Sequence, residues 1–384
     1  MPKVLAGLRV VEMGTFITGP AAAMHLADLG AEVIKVERPG TGDPFRAFKG
    51  GLYSPHYQTY NRNKRSIALD TSEAGDRAVF NKLIETADVF IQNFRPGVAE
   101  KLGAGEDELR RLNARLVYCA ISGFGTSGPY RDRPAYDTVA QAASGFLRLL
   151  MPPENTRVIG PAIADAMTGF YAALGVLAAL HERQATGVGR RIDVSMLEAM
   201  CHFNLDSFTH YFSVGEIMGP LSRPSVSQSY VFECADGKWI ALHMSSPPKF
   251  WEGLAQAIGR PDMFGDPRFA TREARIEHQD DVIQFMAPIF RTATREEWCR
   301  RLEAAEVPHS PAYDSNEALE DPQAKHLQLK VSAEHPEMGK FTTVRSPLSF
   351  DGERSLDVTP PPTLGEHNEE IRAELRARRR SAAE

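Results

Sequence analysis

Apolar and polar positions follow two rhythms along the chain. Short β-branched runs at Leu8–Glu12, Glu32–Glu37, Ser66–Leu69, Val89–Gln92, Leu116–Ser122 and Arg190–Ser195 read as strands. Helical periods lie between them over Pro20–Leu29, Ala74–Ala87 and Glu106–Asn113, and a long one runs from Pro161 to about Gln184, closed by Thr186-Gly187-Val188-Gly189. Regular alternation of this kind predicts an α/β fold with a Rossmann-like parallel sheet covered on both faces.

The rhythm changes after Ser195. Residues 196–225 are aromatic and helical with Gly and Pro interruptions, and Tyr230–Cys234 with Lys238–Leu242 predict a hairpin turning at Ala235-Asp236-Gly237. Helical patterns follow near Val282–Phe290 and Arg295–Ala305, then strand-like runs at Phe341–Val344 and Leu348–Phe350, a Pro360–Pro362 stretch and a charged helix from Glu366. The organisation predicted is a large α/β domain formed by both chain ends (1–200 with 325–384), a linker (201–224) and a smaller α+β domain (225–322).

Composition narrows the class. The 384 residues suit two domains, and 42% apolar with 24% charged residues is the usage of a folded globular chain. A formal charge of −6 gives no global attraction to nucleic acid or to an anionic membrane, so any polyanion needs a local basic site. Cys119, Cys201, Cys234 and Cys299 are scattered without metal-ligand spacing, which predicts free thiols and no metal. The N-terminus enters an apolar strand at once, without a signal core, and a cytoplasmic location is expected. The apolar stretch Ile163–Leu180 carries Asp165 among many Ala and Gly, the mark of a buried helix rather than a membrane span.

The opening strand, turn, helix and strand ending at Glu37 have the outline of a dinucleotide site. The turn, Gly14-Thr15-Phe16-Ile17-Thr18-Gly19-Pro20, lacks the closely spaced glycines that seat a pyrophosphate on a helix N-terminus, so an NAD cofactor is not expected. Glu37 then reads as a surface carboxylate paired with Lys35 or Arg38.

Several segments taken together do carry a resemblance: VVEMGTFITGP (10–20), LADLGAEVIKVERPGTGD (26–43), NRNKRSIALD (61–70), ADVFIQNFRPG (87–97), ISGFGTSGP (121–129), GPAIADAMTG (160–169), GRRIDVSMLEAM (189–200) and PPPTLGEHNEEI (360–371). In order and nearly end to end, the chain resembles the family III CoA-transferases of the CaiB/BaiF kind, among them crotonobetainyl-CoA and formyl-CoA transferases. The resemblance implies that Asp165 is a nucleophile passing through aspartyl anhydride and aspartyl-CoA thioester intermediates. It also implies coenzyme A as substrate with no tightly bound cofactor, a carboxylic acid as second substrate, and an interlocked homodimer. Contacts to CoA carried over by resemblance are Phe16, Ile17, Arg38, Leu69, Asn93, Phe94, Arg95 and Lys101, with Tyr136 and Asp137 near the thioester arm. An acidic protein needs cations gathered locally to hold so anionic a ligand, and Arg38, Arg62, Lys64, Arg65, Arg95 and Lys101 are the candidates.

Asp165 lies off the apolar stripe Ile163, Met167, Phe170, Leu174 and Leu177, on a face continued by Gly169 and Ala172, which leave room for a group to approach it. Ile17 stands where formyl-CoA transferases have Gln, and Met244–Pro248 stands where they have a glycine run, which argues against oxalate as acceptor and for a more apolar acyl pocket. The α-methylacyl-CoA racemases share the pattern but place a His before the Asp, where this chain has Tyr136-Asp137, and a phenol with its ordinary pKa of ≈ 10 is a poor base near neutrality. A non-catalytic acyl-CoA-binding protein is the other alternative, against which the intact Asp165 speaks.

Overall fold

The structure is a computed structural model and describes residues 4–152, 154–245 and 247–381, without the side chains of 378–381. Ser246 and the side chains of the Arg378–Arg380 run lie outside the described residues. Two compact units are present: Met1–Leu147 with Val158–Leu205 and Gln328–Glu384, and Arg148–Arg157 with Asp206–Leu327.

The first unit is built on six parallel strands, β1 (Arg9–Glu12), β2 (Glu32–Glu37), β3 (Lys64–Ala68), β4 (Val89–Gln92), β5 (Val117–Ser122) and β6 (Arg191–Ser195), in the order β3-β2-β1-β4-β5-β6. The order reverses between β1 and β4, and in open sheets of this kind the crevice at that reversal, outside the carboxyl ends of the strands, is where ligands bind. One face is covered by α1 (Thr18–Asp28), the other by α2 (Ala74–Glu85) and α3 (Glu106–Leu112). After β5 come α4 (Asp137–Ala143) and α5 (Ile163–Thr186), and α5 packs beside α1 over Val10, Val33, Ile91, Cys119 and Ile121. The two strand faces are thus both buried, which is why these segments read as continuous apolar runs rather than alternating ones.

Two further helices, α6 (Met196–Phe203) and α7 (Leu205–Val214), follow β6. The second unit carries an antiparallel sheet of β7 (Ser229–Glu233), β8 (Trp239–His243) and β9 (His309–Ala312), with Trp251, Met286, Phe290 and Trp298 in its core. β9 contains Pro311 and sits at the sheet edge, where a missing N–H costs nothing, and this hides it from a sequence reading. β10 (Lys330–His335) pairs with β11 (Gly339–Val344), and the final helix α8 (Asn368–Ser381) returns to the first unit, setting Ile371 and Leu375 among the residues under α2.

The α5 helix is long and apolar enough to span a membrane, yet its buried face is made of small residues. A Cβ added at Gly169 would stand 2.8 Å from Ala21 Cβ and 3.0 Å from Thr18 O, so the glycine is what lets α5 approach α1 so closely. The small face expected to leave space beside Asp165 is therefore filled by α1, and the bulky members Phe170 and Leu174 are exposed instead, at 52% and 53%. The helix ends where the sequence signalled, with Gly187 in the left-handed region at φ 72°.

Candidate active site

β1 leads into the turn Met13–Ile17 at the crevice. Its geometry is fixed from three sides. Asn93, just past β4, accepts from Thr15 N–H (2.9 Å) and donates to Thr15 O (2.7 Å) and Thr18 Oγ1 (2.9 Å). Lys35 Nζ donates to Gly14 O (2.9 Å), and Asp43 Oδ1 accepts from Phe16 N–H (3.1 Å). Phe16 is held at φ 60°, a left-handed conformation that costs a residue with a Cβ roughly 1–2 kcal/mol.

Beneath the turn lies a buried ionic cluster. Glu12 takes Lys35 on Oε1 and Lys64 on Oε2, both at 2.9 Å, and all three side chains are fully buried. Burial alone would raise the Glu12 pKa, but the two ammonium groups hold it below the usual carboxylate range. Burial pushes Lys64 down to about 8, against the pull of Glu12 and with the push of Lys35.

Two adjoining cavities open at this point. The larger, about 550 Å³, is lined by Arg38, Thr41, Asp43, Leu69, Phe94 and Lys101 among others. The smaller, about 420 Å³, holds Asp165 with Phe16, Ile17, Phe45, Asn93, Arg95 and Tyr136. Thr15 and Phe94 line both. The residues singled out by resemblance thus divide: Arg38, Leu69 and Lys101 fall in the first cavity, Phe16, Ile17, Asn93, Arg95 and Tyr136 beside Asp165 in the second, and Phe94 in both. Arg38, Arg95 and Lys101 make no side-chain hydrogen bond or ion pair among the described residues, which leaves their charges available to an anion.

The rest of the basic cluster is otherwise engaged. Arg62 is paired with Asp28 (2.6 Å), Lys64 is buried on Glu12, and Arg65 bridges Glu32 (2.6 Å) and Glu374 (2.8 Å). These three hold strand and helix ends together rather than a ligand, because each already has a carboxylate in contact. Glu37 likewise is no surface carboxylate. It is buried, forms a two-point pair with Arg46 (both 2.7 Å), and accepts from Ser66 Oγ (2.7 Å).

Asp165 stands in the first turn of α5, whose N-terminus has no capping side chain of its own. Asp137, at the start of α4, supplies one: its Oδ1 accepts from the N–H groups of Ala164 (2.8 Å) and Asp165 (3.2 Å). Asp137, carried over as a contact to the thioester arm, thus turns its carboxylate to the helix terminus. The consequence for Asp165 is electrostatic as well. Burial first, and then the Asp137 charge, raise its pKa from the ordinary 3.8 to about 7. Tyr60 is raised in turn by burial, then by Asp165 and Asp137.

Sequence reasoning missed Glu12, Lys35, Asp43, Arg131 and Arg133. The last two line the Asp165 cavity from the loop after β5. The signal for Glu12 and Lys35 was present, since charged residues in central parallel strands stand out against their apolar neighbours.

A Rossmann-like sheet with Arg38 and Lys101 at its crevice, beside a cavity that holds the half-buried Asp165 carboxylate, is suited to an anionic ligand. Comparison with known proteins makes this specific: the sequence profile of CoA-transferase family III matches residues 5–368, and the chain belongs to that family. It is 35% identical to the succinyl-CoA–D-citramalate CoA-transferase of Chloroflexus aurantiacus, over 97% of this chain and 94% of that one. It is also 35% identical to the formyl-CoA:oxalate CoA-transferase of Streptomyces avermitilis, over 97% and 95%. Among solved structures, a CAIB/BAIF family protein from Brucella suis superposes with a TM-score of 0.87 at 31% identity, covering 97% of this chain and 99% of that one. The chain is therefore a CoA-transferase, with CoA thioesters as substrates.

Proposed function

We propose that the enzyme moves coenzyme A from an acyl-CoA donor to a carboxylic acid acceptor through covalent intermediates on Asp165. The observation that carries this reading is that Asp165 is the only acid among the described residues lining its cavity, and that this cavity adjoins one edged by Arg38 and Lys101. An Asp165 oxygen attacks the thioester carbonyl and the C–S bond breaks, giving a mixed anhydride and CoA thiolate. The thiolate attacks the aspartyl carbonyl, releasing the donor carboxylate and leaving an aspartyl-CoA thioester. The acceptor carboxylate then attacks that thioester, and the freed thiolate attacks the acceptor acyl carbon, forming the new acyl-CoA and restoring Asp165. No net proton is consumed, so the carboxyl needs only to be ionised at the outset.

The donor acid is proposed to carry a second carboxylate, as in succinyl-CoA. Arg95 and Arg133 line the Asp165 cavity alongside its aromatic wall, and guanidinium groups are the residue type suited to a free carboxylate. Action in the cytoplasm and as a homodimer belongs to the same proposal. The dimer is supported by exposed apolar side chains on α5 and after α6.

The test is mass spectrometry of the protein mixed with succinyl-, glutaryl-, formyl- and crotonobetainyl-CoA, with hydroxylamine trapping and peptide mapping, beside Asp165→Ala. A donor-dependent adduct on the Asp165 peptide, absent from the variant, is the outcome expected. Turnover without any adduct on that peptide would sink the covalent route.

A further inference from the structure

Asp43 is 1% exposed, lines the larger cavity, and is not among the residues lining the smaller one. Its Oδ1 nevertheless accepts from the backbone N–H of Phe16 (3.1 Å) and of Phe45 (2.9 Å), and both of those residues line the Asp165 cavity. Their rings meet edge to face at 5.2 Å, and Phe16 meets Tyr136 in the same way at 6.0 Å. One carboxylate on the wall of one cavity therefore anchors the backbone beneath two aromatic rings that wall the other.

The anchor is itself held. Asp43 Oδ2 lies 3.0 Å from Lys35 Nζ, and Lys35 also grips Gly14 O in the Phe16 turn. The Asp43 N–H donates to Glu37 Oε2 (3.0 Å), which Arg46 locks in place. Phe16 needs such an anchor, since its φ of 60° is a conformation a residue with a Cβ keeps only when its surroundings impose it. The segment that delivers Asp43 also walls the larger cavity, since Arg38, Thr41, Gly42 and Pro44 line it too.

We propose that Asp43 is a positioning residue for CoA transfer, linking occupancy of the nucleotide-side cavity to the placement of Phe16 and Phe45 beside Asp165. The inference rests on Asp165 being the carboxylate that receives the acyl group. Contacts made by the phosphates and nucleotide of CoA, remote from the reacting carbonyl, are thereby spent on orientation at that carbonyl. Asp43 touches no reacting atom and acts through the two peptide N–H groups it holds.

The experiment measures, by rapid quench, the rate of adduct formation on Asp165 from whichever panel thioester labels the wild type best, and from the pantetheine thioester of the same acyl group. Wild type, Asp43→Ala, Phe16→Ala and the double variant are compared. The proposal expects Asp43→Ala, which removes the oxygen that both N–H groups share, to slow the CoA thioester roughly ten- to a hundredfold, with little change in its half-saturating concentration. The pantetheine thioester, which lacks the nucleotide, should slow far less, so the rate advantage of the full substrate collapses. The double variant should be no slower than the slower single one. Equal slowing of both thioesters, a loss confined to half-saturation, additive losses, or no loss would each overturn it. Should Asp43→Ala fail to fold, the Phe16→Ala variant decides alone, by whether the same advantage collapses. A wild type that labels no Asp165 peptide defeats the covalent reading instead, before Asp43 is reached.

Discussion

On the proposed covalent route the carboxyl of Asp165 has to be ionised to attack, yet burial and the neighbouring Asp137 charge raise its pKa to about 7. The same shift makes the oxygen a stronger base and leaves about half of it ionised near neutrality. Transfer from the free enzyme should therefore rise through about pH 7 and level off above it. Replacing Asp137 by Asn keeps an oxygen to cap Ala164 and Asp165 N–H but removes the charge. The acid limb of the kcat/KM profile is expected to move to lower pH, and only part of the way toward 3.8, because the burial that is the larger cause remains. A limb that stays in place would show that the Asp137 charge is not felt at Asp165. The Asp165 segment itself was recognisable in the sequence from its GPAIADAMTG context. The partnership with Asp137 was not, since 27 positions separate the carboxylate from the Ala164 N–H it caps and no spacing rule joins them.

At the scale of elements, strands β1, β2 and β3 are tied together by a carboxylate between two ammonium groups, Glu12 ending β1, Lys35 lying within β2 and Lys64 beginning β3. Taking such a set out of water is costly, and it persists because every member has partners: Lys64 also donates to Pro20 O and Asn61 Oδ1, both at 2.9 Å. Glu12→Gln would leave Lys64 buried with no carboxylate in contact, while Lys35 keeps Asp43. A loss of about 3–5 kcal/mol in unfolding free energy is expected, read from denaturant midpoints at constant slope. A loss under about 1 kcal/mol, the usual worth of an exposed pair, would mean that water reaches the cluster. Much of the sheet was legible because buried parallel strands advertise themselves as apolar runs bounded by helices. What escaped was tertiary. Arg62, Lys64 and Arg65 look like a phosphate site on paper, and only the fold brings Asp28, Glu12 and Glu32 against them. Gly169 and Ala172 look like open space beside a nucleophile until α1 fills it.

For the whole molecule, apolar surface is the outstanding feature. The α7 helix buries none of its residues, and Tyr211, Phe212, Val214 and Ile217 are 55%, 77%, 74% and 85% exposed. On α5 the bulky Phe170 and Leu174 face outward, while small residues such as Gly169 are spent on packing against α1. Single exposed apolar residues are ordinary, but a run of them across one helix and the segment that follows is the kind of patch that interaction surfaces present. The proposed homodimer supplies the cover. Obligate dimers bury roughly 2,000 Å² or more and resemble a core cut in half, so they do not come apart on dilution. Mass photometry of the wild type should give twice the chain mass down to nanomolar concentration. Phe212→Glu with Ile217→Glu places two charges in that surface and should shift the population to single chains or prevent assembly during expression. A wild type at the mass of one chain would remove the dimer from the proposal, and a double variant that stays dimeric would place the interface elsewhere, on α5, where Leu174→Glu is the corresponding test.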